Sequence, residues 1–189
     1  MADKVFVILS SGDREVAVVC GEKKDELSSI ILDLAKTNAP TNPDLPMPTD
    51  WPPEHEAHTR EHGARRLATL GIERGDEKGR EKLRLMNFEF YGAPCAVFLL
   101  IDGSLGAWSI FDVGLFAQSF ILAAHSLGVA SCLQVSVTRY APEIKRFLGV
   151  PESKKLIICI SLGYADEEAT LNAYRSIKLK PEDFTRWYL

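Results

Sequence analysis

The stretch from Ile110 to Leu127 (IFDVGLFAQSFILAAHSL) limits the possible folds most, because a helix formed by it is apolar on nearly every side. Such a helix must be enclosed, by protein or by lipid. A bilayer span needs about 20 predominantly apolar residues, and this stretch carries Asp112, Gln118 and His125. We therefore expect a helix enclosed by protein and ended by Gly128, and we expect a second copy of the chain to contribute to its cover.

Two other apolar runs, Cys95–Ile101 and Lys155–Leu162, predict strands that are buried on both faces. The remaining periodic segments are shorter. They predict strands at Lys4–Leu9, Glu15–Cys20 and Val129–Val137, and helices at Lys24–Lys36 and Ala141–Leu148. Because strands and helices alternate along the chain, we expect one α/β (α+β) domain over residues 1–189, with a mixed sheet flanked by helices.

The segment Thr37–Pro53 holds six of the ten prolines, which excludes a regular helix or a central strand there. We predict a long loop, followed by a charged helix at Glu54–Leu70 and another from Asp76 toward Asn87. These charged segments are poor in apolar residues. We therefore interpret residues 41–87 as a proline-rich loop and helical cap inserted into the domain.

Charge and cysteine content exclude several classes of protein. The net charge is −4 and no Lys/Arg stripe is interleaved with aromatics, so we expect no nucleic-acid partner. The four cysteines lie in or beside apolar runs without metal-binding spacing, so we expect buried, reduced thiols. The apolar stretch within the start MADKVFVILS is too short to form the core of a signal peptide. Together these features predict a cytoplasmic protein without a membrane partner.

Motifs of hydrolases, zinc peptidases and P-loop or dinucleotide-binding proteins are missing from the sequence. His55, His58 and His62 have helical spacing and share one face, which we interpret as an exposed face rather than a metal site. His125 lies on the apolar helix, where a core or interface role is expected. We therefore predict no metal site.

From Asn87 to the C-terminus, short motifs follow one another in a characteristic order. They are Ala93-Pro94 before a strand, Asp112-x-Gly114-x-x-x-Gln118 opening the apolar helix, Leu122-Ala123-Ala124 and Leu127-Gly128 closing it, Leu148-Gly149-Val150-Pro151, Leu162-Gly163-Tyr164, and Asn172 before a basic tail. This order resembles the FMN-dependent nitroreductase family. We interpret Asp112 as a helix cap and Gly114 as a site of close packing.

The resemblance implies a homodimer that binds FMN and uses NAD(P)H to reduce nitroaromatics or quinones in a ping-pong hydride transfer through flavin N5. The flavin would carry the chemistry, so no catalytic side chain is expected. A related flavin reaction such as reductive dehalogenation stays open as an alternative. The segment from about Leu45 to Asn87 resembles an insertion of one branch of the family, and it would cap the substrate side.

The resemblance also implies site residues. Asn87 would face the flavin pyrimidine, backbone N–H groups of Gln134 and Val135 would face N5 and O4, and Arg175 and Lys178 would bind the phosphate. Ser10, Ser11 and Arg14 match a remnant of the family's opening flavin-binding stretch. Candidate substrate-lining residues are Trp51, His55, His58, Phe88 and Tyr91.

The family's opening arginine-rich segment has no counterpart before Arg14, so the resemblance implies an N-terminally shortened member. Each hydrogen bond to a charged group contributes about 1.5–3 kcal/mol. Losing two arginine contacts would weaken FMN binding by roughly 10²–10⁴-fold. A flavin-poor family member that acts as a dimeric binding or structural module therefore remains the alternative function.

Overall fold

A computed structural model describes residues 14–188 of the chain, and the strand expected at Lys4–Leu9 lies outside them. Two 3-10 turns, Phe90–Gly92 and Ser136–Tyr140, occur among the described residues. The strands are β1 Glu15–Cys20, β2 Cys95–Asp102, β3 Ala130–Gln134 and β4 Lys154–Gly163. The helices are α1 Glu22–Lys36, α2 Pro53–Thr69, α3 Glu77–Leu85, α4 Ala107–Ser126, α5 Ala141–Leu148, α6 Thr170–Ala173 and α7 Pro181–Phe184.

The chain groups into two compact units. The first unit comprises the residues up to Pro48 together with Lys78–Ala165, and it contains the whole described sheet. The second unit comprises Thr49–Glu77 and the residues from Asp166 onward, and it contains α2, α6 and α7. A single domain with an insertion at residues 41–87 stays a prediction.

The sheet has the strand order β1-β2-β4-β3. Each of the three pairings between described strands is antiparallel, with Cys20 opposite Cys95 at one end of the β1–β2 ladder. The expected α+β class is confirmed. The sheet differs from the expected mixed one, because its described strands run in alternating directions throughout.

Strand β2 is buried on both faces, as the apolar run predicts. Phe98 points into a core formed with α1 and α5, where it packs near Leu27 and Ile144. Its neighbour Leu99 points to the opposite core, beneath Val113 of α4. Burying a side chain of this size stabilises the fold by about 1.5–3 kcal/mol. The two cores together make β2 the centre of the first unit.

Helix α4 forms as predicted but is covered on one side only. Its fully buried residues are Asp112, Val113 and Ala117, whereas Trp108 is 74% and Leu122 is 58% exposed. The described residues therefore cover only part of this helix, and the expected cover by a second copy of the chain stays a prediction. By length and composition α4 is also apolar enough to cross a membrane.

Two residue roles assigned to α4 need correction. The N-cap position is Gly106, so Asp112 lies inside the helix and does not cap it. Its Oδ1 is buried and has no hydrogen-bond partner within the described part of the chain. A Cβ on Gly114 would meet no atom of residues 14–188 within 4 Å, so these residues do not make the close packing expected at this glycine.

Strand β3 ends at Gln134, three residues before the predicted Val137. Val135 leaves the extended conformation, with φ −71° and ψ −35°, and its carbonyl accepts a hydrogen bond from the N–H of Thr138. The β-branched residues after Gln134 misled the prediction, because they form a 3-10 turn instead.

The expectation of buried, reduced cysteines was correct for Cys159 alone. Burial raises the pKa of its thiol far above the ordinary range. Cys132 is exposed. Cys20 and Cys95 lie opposite each other on neighbouring strands, with Cα atoms 4.2 Å apart, and form a disulfide. Their sequence neighbourhood gave no signal of this pairing. The cytoplasmic location stays a prediction.

A buried ion pair fastens the proline-rich loop to the first unit. The ammonium group of Lys145, with its side chain 7% exposed, donates to Asp44 Oδ1 at 2.9 Å and to the carbonyl of Lys154 at 3.0 Å. The other carboxylate oxygen of Asp44 accepts the Leu156 N–H at 2.8 Å. The Asp44 carboxylate thereby joins the loop to α5 and to β4.

Replacing Asp44 by alanine should lower the free energy of unfolding by about 3–5 kcal/mol, because it leaves the buried Lys145 ammonium without its counter-ion. Urea denaturation measures this change. The exposed Glu152→Gln is the matched control and should change stability by about 0.5 kcal/mol or less. Equal effects of the two substitutions on the free energy of unfolding would contradict a stabilising role for the Asp44–Lys145 ion pair.

Candidate functional site

A left-handed turn connects α3 to β2. Phe90, Tyr91 and Gly92 have φ values of 53°, 54° and 76°. Glycine adopts this region freely, but a bulky side chain there costs on the order of 1–3 kcal/mol. Phe90 is fully buried and meets the ring of Phe98 edge-on at 6.3 Å. Core packing therefore holds a turn that its local sequence does not favour.

Polar contacts hold the residues just before this turn. Gln134 donates from Nε2 to the Asn87 carbonyl at 2.9 Å, and its Oε1 accepts a hydrogen bond from the Ser161 hydroxyl. The Tyr91 hydroxyl donates to Asn87 Oδ1 at 3.0 Å. Gln134 is 2% exposed. The structure thus brings together three residues that the sequence assigned to the site, namely Asn87, Tyr91 and Gln134.

Asn87 keeps free hydrogen-bonding capacity within this network. Its Nδ2 donates to the Arg84 carbonyl at 3.1 Å and its Oδ1 accepts from Tyr91. A carboxamide has two N–H donors and two acceptor lone pairs, so one of each remains. A half-buried asparagine with one donor and one acceptor to offer fits the alternating edge of a flavin pyrimidine.

Arg84 fixes the end of α3. Its Nη2 donates to the Ala35 carbonyl at 2.9 Å and to Glu81 at 2.7 Å. The hydrogen bond with Glu81 raises the pKa of Arg84 and lowers the pKa of Glu81. The guanidinium also lies 6.0 Å from the centre of the Phe88 ring. These contacts position the chain one turn before Asn87.

Two of the sequence motifs meet behind the turn. A Cβ on Gly163 would lie 2.8 Å from Pro94 Cδ, so only glycine fits at this point of β4 without a shift of its neighbour. Pro94 in turn accepts the N–H of Gly21 at 3.2 Å. The close approach of Gly163 to Pro94 therefore accounts for both motifs, Ala93-Pro94 and Leu162-Gly163.

Phe88 requires a correction, because it does not line an open surface. Its side chain is 1% exposed and packs 5.6 Å from the Tyr140 ring, while its carbonyl accepts the Ser28 hydroxyl at 2.9 Å. The Gln134 side chain is likewise occupied inside the protein. Val135 is 46% exposed. The backbone roles of Gln134 and Val135 toward a ligand stay predictions.

Arg14 lies at the start of β1, with its guanidinium 5.4 Å from the centre of the Phe116 ring on α4. Its Nη1 is buried and has no hydrogen-bond partner among residues 14–188. A guanidinium that lacks an acceptor is suited to an anionic group such as a phosphate. Ser10 and Ser11, predicted beside it, lie outside the described residues.

The other predicted residues belong to the second unit. Trp51 is partly exposed and precedes α2, where His55 lies 3.9 Å from Glu54. Arg175 donates to the carbonyls of Asn172 and Tyr174. Lys178 lines an open groove of about 610 Å³. The structure does not group Trp51 and His55 with Phe88 and Tyr91, which belong to the first unit.

Metal-binding clusters of His, Cys, Asp and Glu are not found within residues 14–188. His58 and His62 instead face the groove together with Lys178.

The model of the nitroreductase family matches residues 9–164 of the chain. The match spans well over half of the sequence, so the chain belongs to the nitroreductase family.

Individual relatives agree with this membership. The chain is 34% identical over 172 residues to the 4-nitrobenzoate reductase of Pseudomonas putida, covering 91% of this chain and 75% of that protein. It is 35% identical over 125 residues to Nitroreductase NfnB of Mycolicibacterium smegmatis, covering 66% of this chain and 53% of that one. The crystal structure of the FMN-dependent nitroreductase NfnB from Mycobacterium smegmatis in complex with NADPH superposes with a TM-score of 0.89 at 29% identity, covering 95% of this chain and 80% of that one. The resemblance inferred from motif order is confirmed.

Sequence reasoning missed Ser161 and Arg84, although both hold the Asn87 segment. Ser161 had a detectable signal, since it is a polar residue inside the apolar run LIICISL of β4. Arg84 had none, because it is one of many charged residues on a helix that looks solvated.

Ser161→Ala should lower the free energy of unfolding by about 1–3 kcal/mol, because it leaves Gln134 Oε1 buried without a donor. Gln134→Leu should cost a similar amount. Since the two side chains bond to each other, the double variant should cost at least about 0.5 kcal/mol less than the sum, as measured by chemical denaturation. Pairing Ser161→Ala with the exposed Lys82→Gln provides the control, which should be additive. Additivity in the Gln134/Ser161 cycle would refute the network.

Proposed function

We propose that this protein is an FMN-dependent oxidoreductase that uses NAD(P)H to reduce nitroaromatic compounds, with quinones as further acceptors, in a ping-pong sequence. The observation that carries the proposal is Asn87, which is held from three sides and still offers one donor and one acceptor. The relatives add support, since one reduces 4-nitrobenzoate and another is an FMN-dependent nitroreductase solved with NADPH, as their names state.

The residues that would hold FMN come from the first unit. Asn87 would meet the pyrimidine edge, the backbone at Gln134 and Val135 would meet the central ring, and Arg14 would meet the phosphate. FMN supplies the two-electron hydride chemistry when bound. The chain's part is binding and orientation, and the Gln134–Ser161 contact keeps the Asn87 segment in place for it.

Arg14 Nη1, which has no hydrogen-bond partner among residues 14–188, suits this assignment, because a dianionic phosphate forms strong charge-assisted bonds with a guanidinium. The ring of Phe116 lies against the guanidinium, which limits its freedom before a ligand binds. Such pre-ordering reduces the entropy lost on binding.

We further propose that a second copy of the chain covers the outer face of α4. This face carries Trp108, Phe111, Leu115 and Leu122 at helical spacing, all of them exposed. A contiguous apolar surface of this kind marks an interaction site. Gly114 also lies on α4, and a Cβ there would meet no described atom within 4 Å, which would let a partner helix approach closely.

Phe111→Glu and Leu122→Glu should each convert the dimer to a monomer, because each buries a charge in the proposed apolar interface. Light scattering after size exclusion measures the mass. Lys36→Glu, on the exposed end of α1, is the control and should remain dimeric. A wild-type chain that is monomeric at all concentrations would contradict the proposed interface.

With FMN present, the protein should oxidise NADPH or NADH in proportion to the 4-nitrobenzoate reduced. Double-reciprocal plots at several acceptor concentrations should give parallel lines, the pattern of a ping-pong reaction. Intersecting lines would refute the ping-pong sequence. A folded protein with neither FMN-dependent turnover nor FMN binding would instead favour the flavin-poor binding module.

A further inference from the structure

The disulfide between Cys20 and Cys95 lies where two corners of the chain meet. Cys20 is the last residue of β1, directly before Gly21 and helix α1, and Cys95 is the first residue of β2. Their Cα atoms are 4.2 Å apart, and beside them the N–H of Gly21 donates to the Pro94 carbonyl at 3.2 Å. The disulfide therefore joins the start of α1 to the start of β2 by a covalent bond.

The left-handed turn at Phe90–Gly92, which comes shortly before Cys95, needs contacts from outside itself to persist. Phe90 and Tyr91 have φ values of 53° and 54°, a conformation that bulky residues keep only when their surroundings impose it. Helix α1 supplies one such contact, because the Ser28 hydroxyl donates to the Phe88 carbonyl at 2.9 Å. The disulfide thus ties the turn to the corner from which this supporting helix begins.

The sulfur of Cys20 is accessible to small molecules. Cys20 is exposed, whereas Cys95 is half-buried and Cys159 is buried. Strand β1 also lies at one edge of the described sheet. Exposed disulfides are the ones that exchange readily with thiols, and disulfides in reducing compartments are mostly transient, catalytic or redox-sensing. An attacking thiolate would therefore meet Cys20 first.

We propose that Cys20 and Cys95 form a redox switch for the turn that presents Asn87. The disulfide holds the turn at Phe90–Gly92 in its strained conformation, and reduction of the disulfide by a low-molecular-weight thiol lets the turn relax. The switch goes beyond the proposed reductase activity, because it concerns the order of the turn in the protein with or without a ligand.

The exchange is balanced by the small thiol alone. A thiolate attacks the Cys20 sulfur and forms a mixed disulfide, while the Cys20–Cys95 bond breaks and the Cys95 sulfur leaves as a thiolate that takes up a proton. A second thiolate attacks the mixed disulfide, and the Cys20 sulfur leaves and is protonated. Two small thiols are oxidised to one small-molecule disulfide, and the reverse exchange with that disulfide closes the switch.

Hydrogen exchange of the full chain, followed by mass spectrometry, tests the switch. One sample is oxidised with glutathione disulfide and the other is reduced with dithiothreitol. The N–H groups of Tyr91 and Gly92 bond to the carbonyls of Met86 at 2.9 Å and Glu89 at 3.0 Å. These amides should exchange at least about 10-fold faster in the reduced protein, because the turn opens locally. The β3–β4 ladder should exchange equally in both samples.

Two variants and a second readout separate the pair from the other cysteines. Cys20→Ser should behave like the reduced protein under both conditions. Cys132→Ser removes an exposed cysteine outside the pair and should respond like the native chain. The oxidised native chain should also have a Tm about 5 °C or more above that of its reduced form. The reduced native chain gives the same comparison as Cys20→Ser without any substitution.

The affinity for FMN is a further readout, and this part rests on the proposed function. Because only molecules with an ordered turn would present Asn87, reduction should raise the Kd of FMN by roughly 3–10-fold, measured after the thiol is removed under nitrogen. An equal Kd in both states would overturn the link between the switch and Asn87.

Two results would overturn the switch itself. One is equal exchange of the Tyr91 and Gly92 amides in the oxidised and reduced protein. The other is a protein in which alkylation under denaturing conditions finds Cys20 and Cys95 unpaired after treatment with glutathione disulfide. If the turn responds to reduction but neither state binds FMN, the proposed function fails while the switch stands.

Discussion

The first unit depends on the burial of β2 between two antiparallel neighbours and beneath helices on both faces. Its backbone groups are satisfied by β1 and β4, and its side chains enter two separate cores. Because the backbone and the side chains of β2 are engaged in this way, only the ends of this strand remain for contact with ligands. The chain enters β2 through the left-handed turn at Phe90–Gly92, so the position of β2 also fixes the position of Asn87.

Strain and polar contacts at this turn act together. The unfavourable φ values of Phe90 and Tyr91 persist because Phe90 is locked in the core and because Gln134 and Tyr91 bond to Asn87. Strained backbone of this kind concentrates at binding sites, where it presents a side chain in a fixed orientation. Asn87 is such a side chain. The residues around it are held by hydrogen bonds, and its carboxamide still has one donor and one acceptor without a partner among the described residues.

Periodicity and motif order were enough to predict most elements and the family, because buried strands and helices leave repeating apolar patterns. The failures share one cause, which is that they depend on contacts distant in sequence. Nothing near Cys20 or Cys95 signals their pairing, Phe88 looks like a surface aromatic until Tyr140 covers it, and Val135–Val137 has strand residues in a turn. The Gln134–Ser161 bond likewise joins two strands that the sequence could not align.

The central claim is that the fold holds Asn87 ready for a flavin, and a titration of the purified chain with FMN tests it most directly. Quenching of flavin fluorescence should saturate at one FMN per chain with a micromolar or tighter Kd, and Asn87→Leu should weaken it by about 10-fold, the effect of losing a hydrogen bond or two. A folded chain that fails to quench FMN, or an Asn87→Leu variant that binds as tightly as the native chain, would contradict the account.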